Sequence, residues 1–155
     1  MNALDIEDLK IIAHLRQDSR RNLTKISKQT MVPISTIFDR LKKYNKEIIT
    51  KNTVLIDFKK LGYELKVQIL LKTTQDKREA MKNFVDKNWN VNNVYRINNG
   101  YDFMVEAIFK NMLQLEDFND KLEKIGIVSK QEFYILEEIR KEAFISEPDI
   151  VEMLE

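Results

Sequence analysis

From Leu4 to Tyr44 apolar residues return every three or four positions, whereas from Leu65 onward short runs alternate apolar and polar at every second position. The two periods demand different elements: a spacing near 3.6 gives helices with one apolar stripe, and a spacing of two gives strands with one apolar face. The switch near residue 50 therefore divides the chain into a helical part and a mixed part, an α+β protein.

In the helical part, Leu4, Asp8, Ile11, Ile12 and Leu15 predict a first helix over about residues 5–17, with Asp5 and Asp8 spaced as a capping box. "DSRRN" interrupts it, and a second short helix is expected from Thr24 as N-cap, burying Leu23, Ile26 and Thr30. Pro33 opens a third, since its missing N–H would be unpaired at a helix start anyway. Ile34, Ile37, Leu41 and Tyr44 then face inward. The opposite face carries Ser35, Thr36, Asp39, Lys42 and Lys43, with Phe38 and Arg40 on its flanks. Three short helices, the last with hydroxyls early and cations late, describe a helix-turn-helix unit, in which short hydroxyl side chains approach base edges and Lys or Arg neutralise phosphates. The same pattern fits a face that meets only water.

Charge distribution favours the first reading. Residues 1–50 hold 10 Lys and Arg against 6 Asp and Glu, net +4, while residues 51–155 hold 16 against 19, net −3. A polyanion would dock at the N-terminal end.

In the mixed part, Thr53 to Ile56 reads as a linking strand, and "ELKVQILLKT" as a half-buried strand with Leu65, Val67, Ile69 and Leu71 inward. A helix over about 77–88 buries Ala80, Met81, Phe84 and Val85. "NVYRIN" and "YDFMVEAIF" flank Asn99-Gly100, which supplies the positive φ angles of a two-residue hairpin turn. Tyr101, Phe103, Val105, Ala107 and Phe109 share one face, and a helix from Asn111 to Gly126 buries Leu115, Phe118, Leu122 and Ile125. "KQEFYILEEIRKEA" predicts a fourth strand with Phe133, Ile135 and Ile139 on one side. The order is the βαββαβ pattern of a ferredoxin-like sandwich, with two helices on one sheet face. Leu70, Val94, Met104, Ile108, Tyr134 and Leu136 are expected on the bare face, where apolar surface calls for a second copy of the chain.

Little points to chemistry. The chain has no cysteine, no apolar run near the roughly 20 residues of a membrane span, and no signal-peptide start, which together lead to the expectation of a cytoplasmic protein. No Gly-rich phosphate loop, nucleophile elbow or two-histidine motif is present, so neither an enzyme nor a metal site is expected. His14 is expected on the surface or half-buried, and Trp89 in the core. Glu116, Asp117, Asp120 and Glu123 read as solvated charge on one helix face.

Taken in order, these segments resemble the Lrp/AsnC, or feast/famine, family of prokaryotic transcription regulators over about residues 4–143. "LDIEDLKIIAHLRQDSR" resembles the family's opening at Leu4, Asp5, Asp8, Ile11, Ile12, Leu15, Asp18 and Arg20. "STIFDRLKKY" matches the recognition helix at Ser35, Thr36, Ile37, Arg40, Leu41 and Lys43. "LIDFKKLGY", "NNGYDFMVEA" and "LEKIGIVS" approach the linker end, the hairpin turn and the segment after the second regulatory helix. Met31 stands where the family usually has glycine, Pro33 at its usual Ser cap, and Asn45 to Glu47 lack its glycine.

The resemblance implies a winged-helix-like helix-turn-helix domain at 1–50, a linker strand at 51–62, and a βαββαβ (RAM-type) dimerisation and effector domain at 63–143; the tail at 144–155 lies beyond it and reads as either a short helix or a frayed end. It implies double-stranded DNA as partner, with Arg20, Arg21, Ser35, Thr36, Asp39, Arg40, Lys42 and Lys43 as the contact set. It further implies a homodimer that builds tetramers or octamers, no cofactor, and an amino-acid effector near Gly100, Tyr101 and Asp102, three residues that equally form a plain turn with a solvated Asp. Competing readings are a ligand-sensing module acting on a protein partner and a general DNA-compacting protein.

Overall fold

The computed structural model describes residues 4–151 and Met153. The chain forms two compact units: one runs to Val54 and takes up the chain again from Ile139, and the other spans Leu55–Glu138.

The first unit is built from α1 (Ile6–Gln17), α2 (Leu23–Thr30) and α3 (Ile34–Glu47). At the start of α1 the expected capping box is present: Asp8 N–H donates to the Asp5 carboxylate at 2.7 Å and Asp5 N–H to the Asp8 carboxylate at 3.1 Å. The cap of α2 is Asn22 and not Thr24; its side chain accepts from Thr24 N–H at 2.8 Å, so Thr24 already lies inside the helix. Ile11, Ile26, Val32, Ile37 and Tyr44 form the core, with Leu15, Leu23 and Leu41 packed against them. Ile34 departs from expectation and is 46% exposed, because the core centres on Ile37 and Tyr44 and Ile34 lies about 60° round the helix from Ile37.

The chain from Ile139 closes on α1. Of the two expectations for the tail, the short helix is present: α6 (Pro148–Val151) makes one turn, and positions 152 and 154–155 lie outside the described residues. Val151 is buried, and Arg16 donates to the Glu142 carbonyl at 3.0 Å and its carboxylate at 3.2 Å. His14, expected at or near the surface, is 5% exposed.

The second unit is a four-stranded antiparallel sheet of β1 (Leu65–Lys72), β2 (Val91–Arg96), β3 (Phe103–Phe109) and β4 (Ser129–Tyr134), in the order β2-β3-β1-β4. Two helices, α4 (Arg78–Lys87) and α5 (Met112–Ile125), complete it. Val67, Ile69, Leu71, Phe103, Val105, Ala107 and Phe109 form the core with Met81, Val85, Leu115, Phe118 and Leu122. This is the ferredoxin-like sandwich that the alternation predicts.

Four parts of the expectation change. Thr53 to Ile56 is in no strand; Val54, Leu55 and Ile56 are exposed there. β4 ends at Tyr134, well short of the predicted strand, and its faces are exchanged: Tyr134 pairs with Val67 and Phe133 with Gln68, which places Tyr134 on the helix-covered side and Phe133 on the bare side. Val94 also moves to the covered side, opposite Val105 and packed on the core. Trp89, just before β2, is 69% exposed, with its ring edge-on to Tyr63 at 6.4 Å between centroids.

Candidate nucleic-acid interface

The short α2–α3 connection sets how α3 is presented. Thr30 Oγ1 donates to the Ile26 carbonyl at 2.8 Å, and Met31 follows in the left-handed region at φ 60, a conformation that normally favours glycine. Val32 then plugs the core and Pro33 N-caps α3 without a side-chain hydrogen bond. Met31 thus makes the turn that a glycine would make, with its side chain 87% exposed.

A polar network fixes the inner flank of α3. Arg40 Nη1 donates to Asp8 Oδ1 at 2.9 Å and Asp5 Oδ1 at 3.3 Å, and Nη2 to Glu7 Oε2 at 2.8 Å. The Tyr44 hydroxyl donates to the same Asp8 oxygen. Partial burial opposes ionisation of Asp8, but the Tyr44 hydroxyl, the Asp5 N–H and the Arg40 guanidinium together hold its carboxyl below the usual carboxylate range. Burial first, then the bond to Asp8, pushes the Tyr44 hydroxyl up.

The Arg40 side chain is only 23% exposed. Expected among the DNA contacts, it is committed to three carboxylates of the N-terminal turn of α1, and its charge is neutralised within the unit.

The outward residues stand differently. Ser35, Asp39, Lys42 and Lys43 are exposed and Thr36 is half-buried. Lys42 lies 4.0 Å from the Asp39 carboxylate and 4.4 Å above the centre of the Phe38 ring. Lys46, which the sequence pattern did not single out, adds an exposed cation near the end of the helix.

A second cationic surface lies at the α1–α2 connection. An open depression is lined by Asp18, Arg20, Arg21, Lys25, Lys28 and Gln29 among others. Arg20 is exposed, while Arg21 is half-buried and its Nη1 donates to His14 Nδ1 at 2.6 Å. Burial and the Arg21 charge hold His14 below its ordinary pKa, against the pull of Asp149, so the ring accepts as a neutral imidazole. Lys25 and Lys28 were missed in the sequence; their signal is the three-residue spacing on a helix that follows Arg20-Arg21.

In the second unit the Asn99-Gly100 turn has φ of 63 and 90, both positive as predicted. Asp102 is not a solvated turn residue. Its carboxylate accepts from Thr73 N–H at 2.9 Å and pairs with Arg78 at 2.8 Å, bracing the hairpin against the end of β1 and the start of α4. Gly100 is exposed and Tyr101 half-buried beside it. The bare sheet face mixes Leu70, Tyr95, Met104, Ile108 and Phe133 with Lys66, which pairs with Glu106 at 3.2 Å and Glu138 at 2.5 Å. Among the described residues no group of three His, Cys, Asp or Glu side chains is placed to hold a metal, and no helix is long and apolar enough to cross a membrane.

A helix-turn-helix unit with an exposed cationic third helix, joined to a ferredoxin-like sandwich, defines a two-part regulator architecture. Residues 66–143 match the Lrp/AsnC ligand binding domain. An uncharacterized HTH-type transcriptional regulator of Pyrococcus horikoshii, PH1692, is 32% identical over 146 residues, covering 94% of this chain and 99% of its own. The chain belongs to the Lrp/AsnC family.

Solved structures share its fold. A transcriptional regulator of Neisseria meningitidis in complex with L-Met superposes with a TM-score of 0.82 at 23% identity, covering 90% of this chain and 94% of that one. LrpC of Bacillus subtilis does so at 0.81 and 24%, covering 89% and 98%.

Proposed function

We propose that the chain is a sequence-specific transcription regulator that binds double-stranded DNA through α3 and acts in the cytoplasm as a homodimer, tetramer or octamer. One observation carries the reading: α3 is anchored from behind by Ile37, Tyr44 and the Arg40 ion pairs, while Ser35, Asp39, Lys42 and Lys43 stand clear of the core. A major groove admits one such helix, and the cations of the α1–α2 depression add phosphate contacts. The names of the relatives as HTH-type regulators support it.

Dimerisation is assigned to the bare sheet face, where Leu70, Tyr95, Met104 and Phe133 leave apolar surface uncovered. An amino acid is the proposed effector, supported by the ligand-binding-domain match and by the L-Met held by the Neisseria regulator. With the Asp102 carboxylate occupied by Thr73 and Arg78, the Gly100 backbone and Tyr101 are the hairpin groups offered to a ligand.

The test is a gel shift of the full chain on DNA from its own promoter region, with excess unrelated competitor, with and without a mixture of amino acids. A shift that survives competitor and responds to the mixture is expected. A shift erased equally by any DNA would instead mark general compaction. No shift, with a protein captured from extract, would mark a module that acts on a protein partner.

A further inference from the structure

The surface that α3 leaves clear of the core is not uniformly polar. Ile34 is 46% and Phe38 51% exposed, four residues apart and hence stacked one turn above the other. At about 100° per residue the strip runs from Ile34 through Phe38 to Lys42, with Ser35 alongside. Lys42 covers the Phe38 ring at 4.4 Å. The centre of the inward stripe is taken by Ile37, Leu41 and Tyr44, which leaves Ile34 and Phe38 half exposed in the first two turns of α3, on the flank between that stripe and the outward polar face.

The first turns of a recognition helix are the part that reaches base edges. In the major groove the only apolar feature on a base edge is the C5-methyl of thymine, and aliphatic or aromatic side chains read it by contact. Lys42, Lys43 and Lys46 flank the strip with positive charge, which fits a polyanion. Resting on the DNA-binding reading, we infer that Phe38 and Ile34 read thymine: each half-site carries one or two dT whose methyl groups pack against this strip, with Lys42 held over the ring and close to the adjacent phosphate.

The inference is separable from DNA binding itself, because deoxyuridine differs from thymidine only by that methyl and keeps the base pair and the minor groove. The best site that the full chain selects from a random duplex pool is resynthesised with single dT to dU replacements. At one or two positions per half-site the affinity of the unaltered protein should fall roughly fourfold, the worth of one buried methyl-sized group. Phe38→Ala should bind the dT and dU versions of at least one such position equally. Phe38→Leu should keep part of the discrimination. Both variants should melt as the parent does, since half of the ring already faces water.

If every dU replacement is neutral while the selected site is still bound tightly, the thymine strip is refuted and the DNA-binding reading survives. Unchanged dT preference in Phe38→Ala and Ile34→Ala refutes it too, as does loss of a captured protein partner in Phe38→Ala with DNA discrimination intact. If no sequence is selected at all, both readings fall.

Discussion

Replacing Tyr44 by Phe removes one hydroxyl and nothing else from the network that docks α3 on α1. The ring stays in the core, where Tyr44 is 1% exposed, but Asp8 loses one of its donors. A hydrogen bond to a charged group is worth roughly 1.5–3 kcal/mol. The Asp8 side chain is 17% exposed and keeps Arg40 at 2.9 Å, so we expect the lower part of that range, about 1.5 kcal/mol, for the helical unit.

The pH dependence follows from the direction of two shifts. The carboxyl of Asp8 is depressed in the folded chain, so its contribution is fully present above the unfolded value near 4 and is lost as pH falls through the lower folded value. Tyr44 is raised, so its contribution is present below about 10 and is lost as pH rises beyond that. The difference between parent and Tyr44→Phe should therefore be flat from about pH 5 to 9 and shrink on either side. Residue-resolved amide exchange at Ile37, Leu41 and Tyr44 isolates this unit from the sheet. Unchanged protection at pH 6 would refute the network, and so would a loss that persists undiminished below pH 3.

Arg40→Ala should lower the stability of the helical unit by roughly 1–3 kcal/mol and, well below its melting point, leave the salt slope of DNA binding unchanged. Lys43→Ala should do the reverse, with a slope reduced by about one and stability held, as salt titrations of both variants would show. Met31→Gly relieves a left-handed residue whose side chain touches little, and should stabilise the unit by roughly 0.5 kcal/mol in thermal melts, part of the relief being offset by the freer unfolded chain. Asp102→Ala should destabilise the second unit by roughly 1–2 kcal/mol, read by fluorescence of the lone Trp89. Undiminished stability with a lost amino-acid response would instead make Asp102 a ligand group.

What was legible was local. The Asp5/Asp8 box and the Asn99-Gly100 turn depend on residues within four positions of one another, as does the start expected for the second regulatory helix, where the Asn111 side chain accepts from Gln114 N–H and caps α5; each stands as expected. β4 was ambiguous because "FYIL" is apolar on both faces; only pairing with β1 decides which side Phe133 takes. Ile34 sits at the margin of a stripe whose centre is set by tertiary packing. The partners of Arg40 are 32 to 35 residues away, and Glu142, which holds Arg16 on the helix of His14, is 126 away, so neither the burial of His14 nor the neutralised Arg40 has a signature in sequence spacing. Lys25 and Lys28 had a local signal that the hydroxyl-rich third helix overshadowed.

The most direct measurement is selection of bound duplexes from a random pool by the full chain, beside its sedimentation mass. A dimer or larger assembly is expected, with an enriched pseudo-palindrome whose half-sites lie about 10 bp or a multiple apart and whose binding is weakened by Lys43→Ala. A monomer in solution, or a pool that enriches no sequence, would contradict it.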